Sequence, residues 1–175
     1  QIEAHAALMP NLSFQVWGRT SKKVDDLIAD LAPHIGVKRA YDLEDATRSA
    51  DVVITATGSK SPILKLDWVQ PGTHITAVGA DAPGKQELEI GLVARADVLA
   101  VDLVAQCLDH GEVSHAAAKG LITADDLHEI GTLLNGTSLG RVDDSQITIT
   151  DLTGIAAQDI AMANTVLAAS KAQAA

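Results

Sequence analysis

Apolar positions along the chain follow two alternating rhythms. In SKKVDDLIADLAPH (21–34), Val24, Leu27, Ile28 and Leu31 recur at helical spacing, with Ser21 read as the N-cap. SFQVWG (13–18), just before it, reads as a strand. The alternation continues with VKRAY, DLEDATRSA capped by Asp42, the strand DVVITAT, a Gly/Ser/Pro turn and a short segment around LDWV. THITAVGA then reads as a strand, ELEIGLVARA as a helix and DVLAVD as a strand. VVITA and VLAV are unbroken apolar runs, as expected of strands covered on both faces. The order predicts an α/β fold, a Rossmann-like doubly wound parallel sheet. After Val104 the pattern is mainly helical, with QITITD (146–151) as a last strand before GIAAQDIAMANTVLAASKA, an Ala-rich helix apolar on one face.

Composition narrows the function classes. With 47% hydrophobic residues, the 175-residue chain can bury a full core. Its net charge of −10 argues against a nucleic-acid or anionic-membrane partner, since phosphate neutralisation needs clustered cations. Apolar runs such as DVLAVDLVAQCL are broken by charge before the ~20 residues that a membrane span requires. The lone Cys107 cannot form an internal disulfide, and no charged leader with an apolar core opens the chain, so a cytoplasmic setting is expected. No Pro/Ser-rich linker divides the chain, and residues 1–175 read as a single dinucleotide-binding domain.

The order has one irregularity. QIEAHAALMPN reads as a helix with no strand before it, and no GxGxxG occurs, whereas a nucleotide-binding sheet of this type begins with its central strand and a glycine-rich turn. Both are therefore expected to precede Gln1.

Three strand ends carry candidate chemistry. VWGRT (16–20) places Gly18, Arg19 and Thr20 where such a sheet meets the adenosine ribose. There a guanidinium and a hydroxyl suit a 2′-phosphate, favouring NADP(H) over NAD(H); a solvated Arg and a helix cap account for them equally simply. In ADVVITATGSKSP, small residues around Thr57 let backbone approach a flat ligand, although a β-branched residue ending a strand needs no ligand. GADAPGKQELE (79–89) sets Asp81 in a tight turn with Lys85 in reach; the same residues also read as a common turn with Lys85, Glu87 and Glu89 as ordinary solvated charges. The carboxyl ends of such strands form one crevice, so Arg19, Thr57 and Asp81 are expected on the same side.

VWGRT, ADVVITATGSKSPIL, PGTHITAVGADAPGKQELE, AQCLDHGEVSHAAAKG, Gly140-Arg141 and ITDLTGIAAQDIAMA occur here in that order, and together they resemble the ornithine cyclodeaminase and mu-crystallin family over almost the whole chain. The resemblance implies a nicotinamide-dependent enzyme acting on an α-amino acid or cyclic imine by hydride transfer at the α-carbon through an iminium. It assigns Asp81 as the catalytic acid/base, Lys85 and Val78 as cofactor contacts, and Gly18, Arg19 and Thr20 as adenosine contacts. Arg19 departs from NAD-binding cyclodeaminases, which carry an acid there. A second implied role is a non-catalytic NADPH-binding module of the mu-crystallin type, although that pattern lacks the acid found at Asp81. The resemblance also implies an amino-terminal domain supplying the substrate's carboxylate ligands and a homodimer interface, so the 175 residues are expected to be part of a longer two-domain chain.

No metal site is expected. His110, His115 and His128 fall in helical segments without metal-ligand spacing, and Cys107 reads as a small core residue because no basic neighbour lowers its pKa.

Overall fold

The computed structural model describes residues 1–9 and 11–173, which divide into two compact units, Gln1–Ser49 and Ala50–Ala175. The first unit runs α1 (Ile2–Leu8), β1 (Phe14–Val16), α2 (Ser21–Leu31), β2 (Val37–Arg39) and α3 (Leu43–Arg48). Strands β1 and β2 pair in parallel, with Phe14 opposite Val37 and Val16 opposite Arg39. Helix α2 connects them and packs on β2, burying Val24, while Leu27 stays 41% exposed. Thr20, rather than Ser21, occupies the cap: its carbonyl accepts the Lys23 and Val24 amides at 3.0 and 3.2 Å, and Ser21 is already helical. Asp42 caps α3 as expected, its Oδ1 accepting the Asp45 amide at 2.9 Å.

The second unit contains β3 (Val52–Thr55), β4 (Lys60–Leu64), a 3-10 turn (Leu66–Trp68), β5 (His74–Ala77), β6 (Gln86–Leu88), α4 (Ile90–Arg95) and β7 (Val98–Val101). It continues through α5 (Val104–His110), α6 (Glu112–Ala117), β8 (Leu127–Glu129), α7 (Ile130–Leu134), β9 (Thr148–Asp151) and α8 (Ala156–Gln173). Five strands form a parallel sheet in the order β3-β5-β9-β7-β8, so the last strand of the chain lies at its centre. Register aligns Val53, Ile75, Ile149, Leu99 and Leu127 in one row across all five strands. Ile75 and Ile149 are 0% and 1% exposed, and this row forms the middle of the core. Strand β7 is buried along its whole length, as the run VLAV predicts.

Four sequence expectations change here. The Gly/Ser/Pro turn is largely strand: β4 pairs in parallel with β6, and Pro62, which has no amide to donate, sits where the register between Lys60 and Leu64 shifts. The helix expected from Glu87 begins at Ile90, because Gln86–Leu88 is drawn into β6. The segment after Val104 also contains β8, which carries His128 on a strand and not on a helix. Helix α8 is exposed, and its apolar residues do not form one face: Ile160 and Leu167 lie seven apart on one side, Met162 and Val166 four apart on another. Among the described residues no helix is long and apolar enough to cross a membrane.

Ile149 touches both neighbouring strands through the core row, so Ile149→Ala should lower stability by about 2–5 kcal/mol. Urea unfolding, with the slope of stability against denaturant unchanged, is the measurement that checks it.

Candidate functional site

In the first unit, Gly18, Arg19 and Thr20 follow β1. A Cβ on Gly18 would lie 3.0 Å from Val24 Cγ2, so the turn can sit close to α2 only without a side chain. Arg19 and Thr20 are exposed, and Arg19 enters no hydrogen bond or ion pair with a described residue. The neighbouring guanidinium is differently placed: Arg39 lies 2.5 Å from Asp25 and 5.2 Å from the centre of the Tyr41 ring.

In the second unit, Thr57 follows β3, and Val78 through Lys85 follow β5. Val78 is half-buried and its amide donates to Thr55 O at 2.9 Å, which extends the sheet one residue beyond β5. Asp81 is exposed at the head of the turn and Lys85 closes it, its amide bonding Ala82 O at 3.2 Å and its ammonium donating to Asp81 Oδ1. Gly84 has φ +78°, a conformation that other residues adopt only at a cost. The Lys85 hydrogen bond, chiefly, holds the Asp81 carboxyl below its ordinary pKa, so Asp81 is ionised at neutral pH. His115 also supports the turn from α6, donating through Nε2 to Lys85 O at 2.7 Å.

Beneath this turn lies a set of residues that sequence reasoning missed. Glu87 is not a solvated charge but is 0% exposed, and its two carboxylate oxygens accept the amides of Thr57 at 2.6 Å and Gly79 at 3.0 Å. A Cβ on Gly79 would collide with Glu87 Oε2 and with Thr57 O, so only glycine permits this approach. Glu112, 1% exposed, accepts in turn the amides of Glu87 at 2.5 Å and Leu88 at 3.0 Å. Asp151, also 1% exposed at the end of β9, accepts the Val113 amide at 3.0 Å. None of these three acids forms an ion pair with a described Lys, Arg or His. Burial pushes the Glu112 carboxyl up to about 8 and that of Asp151 up to about 6, against the pull of the amides they accept.

Asp102, at the end of β7, works in the same way: Oδ2 accepts the amides of Thr153 and Gly154 at 3.0 and 2.6 Å, fixing the turn after β9. Cys107 is buried beside it, its thiol donating to Asp102 Oδ1 at 3.1 Å, and burial raises its pKa to about 12, so it is a core residue as expected. Among the described residues no group of three or more His, Cys, Asp or Glu is placed to hold a metal ion.

The structure thus joins the segments bearing Thr57, Val78, Asp81 and Lys85 through Glu87, and places Gly18, Arg19 and Thr20 together at the end of β1. Glu112 alone of the three carried a sequence signal, an acid directly after Gly111 at a helix start; Glu87 and Asp151 have no glycine beside them.

Comparisons with known proteins identify the family and the fold. The family model described as "Ornithine cyclodeaminase/mu-crystallin family" matches residues 1–173. An alanine dehydrogenase of Archaeoglobus fulgidus is 40% identical over 155 residues, which cover 88% of this chain and 47% of that protein. Among solved structures, an archaeal alanine dehydrogenase dimer with bound NAD superposes with a TM-score of 0.91 at 34% identity, covering 100% of this chain and 54% of that one. The iminosuccinate reductase of Paracoccus denitrificans in complex with NAD+ gives 0.89 at 36% identity, covering 99% and 53%. The chain therefore spans about half the length of the curated relatives it matches.

The raised Glu112 pKa has a defined sign. A carboxyl that holds its proton more tightly when folded contributes stability below its unfolded pKa of 4.5, and loses it as pH rises to about 8. The stability advantage of the native protein over Glu112→Gln should therefore shrink across that window, by a few kcal/mol at about 1.4 kcal/mol per unit. Urea unfolding of both proteins at intervals between pH 5 and 8 measures it, and a constant difference would exclude the coupling.

Proposed function

The chain belongs to the ornithine cyclodeaminase/mu-crystallin family, and from that premise we propose that it serves an NAD(P)-dependent oxidoreductase or cyclodeaminase acting on an α-amino acid or cyclic imine. In this reading the 175 residues are the dinucleotide-binding domain of a longer two-domain chain that acts in the cytoplasm as a homodimer. Support for the domain assignment comes from coverage of about half of each relative, and support for the dimer from the dimeric archaeal alanine dehydrogenase.

The observation that carries the catalytic assignment is the state of Asp81: an exposed carboxylate kept ionised by Lys85, on a turn whose backbone is fixed from below. A nicotinamide cofactor, when bound, supplies or accepts the hydride. Asp81 supplies what the nitrogen needs. In the oxidative direction the α-carbon loses hydrogen with its electron pair, a C=N bond forms, and the carboxylate accepts the proton that the nitrogen releases. The resulting iminium is cationic, and a fixed anion beside it stabilises the charge without reorganising. In the reductive direction the same carboxyl returns the proton. Lys85 and Val78 are assigned as cofactor contacts, with Thr57 on the adjoining strand end.

The exposed Arg19 fits a cofactor with an additional phosphate. With no partner among the described residues, its paired donors are available to a 2′-phosphate, with Gly18 and Thr20 beside it. We therefore assign NADP(H) over NAD(H), even though the two solved relatives described above carry NAD.

Two measurements test these assignments on the full polypeptide. Asp81→Asn should lower kcat/KM by roughly a hundredfold or more, the usual contribution of a positioned proton carrier, in assays of amino acids and cyclic imines followed at the nicotinamide absorbance band. A loss below about threefold would sink the role. Arg19→Ala should weaken NADPH about tenfold while leaving NADH nearly unaffected, measured by cofactor fluorescence titration. Tighter binding of NADH than NADPH by the native protein would reverse the cofactor assignment, and NADPH binding without turnover would favour the mu-crystallin type of module.

A further inference from the structure

Glu87 occupies an unusual place among the acids of this chain. It bonds two strand-end segments at once, through Thr57 N at 2.6 Å and Gly79 N at 3.0 Å, and the second segment leads within two residues to Asp81. Its side chain is 0% exposed, and its own backbone is held by Glu112. Amides beyond the ends of β3 and β5 have no further strand to bond, and with the Gly79 bond buried and the Thr57 bond part-buried an internal acceptor serves both. An anionic acceptor with two oxygens meets that need and fixes the separation of the two segments. The collision that a Cβ on Gly79 would make shows how closely the acid lies under the turn.

We propose that Glu87 is a positioning residue for the reaction: by clamping the amides of Thr57 and Gly79, it sets where Asp81 stands relative to the neighbouring strand end. This rests on the catalytic reading of Asp81. Glu87 touches no reacting atom and acts through the backbone; its loss also leaves two amides without their acceptor, so kcat and stability are read separately. Glu89 provides the contrast. Two residues further on, it accepts a single amide, Leu66 N at 2.7 Å, at the 3-10 turn and away from the Asp81 turn.

The test compares Glu87→Gln with Glu89→Gln in the full polypeptide, each variant exchanging one acceptor oxygen for a donor. For Glu87→Gln, kcat should fall about 10- to 100-fold with little change in KM, since displacement by about an ångström costs on that order. Amide hydrogen exchange at Thr57 and Gly79 should accelerate about tenfold or more in that variant alone. Glu89→Gln, which alters a single amide bond at an exposed side chain, should lose less stability and keep kcat within about twofold. A folded Glu87→Gln with kcat within twofold of native, or equal losses of kcat in both variants, overturns the proposal. Should Glu87→Gln not fold, native exchange decides: the amides of Thr57 and Gly79 must exchange far more slowly than those of Gly58 and Gly84, and equal rates overturn the clamp. If the native protein consumes no amino acid or imine with either nicotinamide, the catalytic reading falls, whereas the exchange measurement still decides whether the clamp exists.

Discussion

Backbone amides at the carboxyl end of a parallel sheet lose their ladder partners where each strand stops, and in this protein carboxylates take over. Glu87 serves Thr57 and Gly79, Glu112 serves Glu87 and Leu88, Asp151 serves Val113, and Asp102 serves Thr153 and Gly154. The first three form a continuous series. Asp151 at the end of the central strand fixes the start of α6; α6 presents Glu112 to β6; and β6 presents Glu87 to the segments beyond β3 and β5. Each link is a hydrogen bond to an amide that would otherwise lack a partner, the condition under which such a bond contributes most. The Asp81 turn rests on the last link and on His115.

This series gives the acidity of the chain a second meaning. A net charge of −10 suggests a surface that repels nucleic acid, yet three of its acids lie wholly inside without an ion pair to a described residue. They resist burial, as the raised values of Glu112 and Asp151 show, and converging amides compensate in place of lysines or arginines. The lysine-paired acid, Asp81, is instead exposed, and Lys85 lowers its carboxyl further. Two adjoining environments thus set carboxyls in opposite directions, one raised by burial and the other lowered by an ammonium.

The fold class was legible because VVITA and VLAV both read as strands, although only VLAV is covered on both faces: β3 is an edge strand with Val52 exposed and Val53 and Ile54 half-buried. The Asp42 cap was legible because local chemistry decides it. Strands β4, β6 and β8 were not. Their short, polar sequences carry no periodic signal, and β4 and β6 are strands only because each supplies the other with partners. Asp81 and Lys85 stood out in the sequence, whereas Glu87 did not, because QELE alternates acid and apolar residues like a surface segment. Only tertiary structure shows that the acid faces inward. Chemistry exposed in a turn leaves a mark in sequence, but the buried support beneath it is written as ordinary charge.

Placing β9 between β5 and β7 has a consequence for how the molecule is made. The inner strands of the sheet cannot hydrogen-bond to each other in the native order, so they wait for a segment 71 to 74 positions downstream of β5 and about 50 downstream of β7. Closing chain segments of that length before any ladder bond forms is entropically slow, and it puts the nucleation of this sheet among long-range events. During synthesis the two halves of the sheet would emerge with open inner edges, until Thr148–Asp151 arrives to join them.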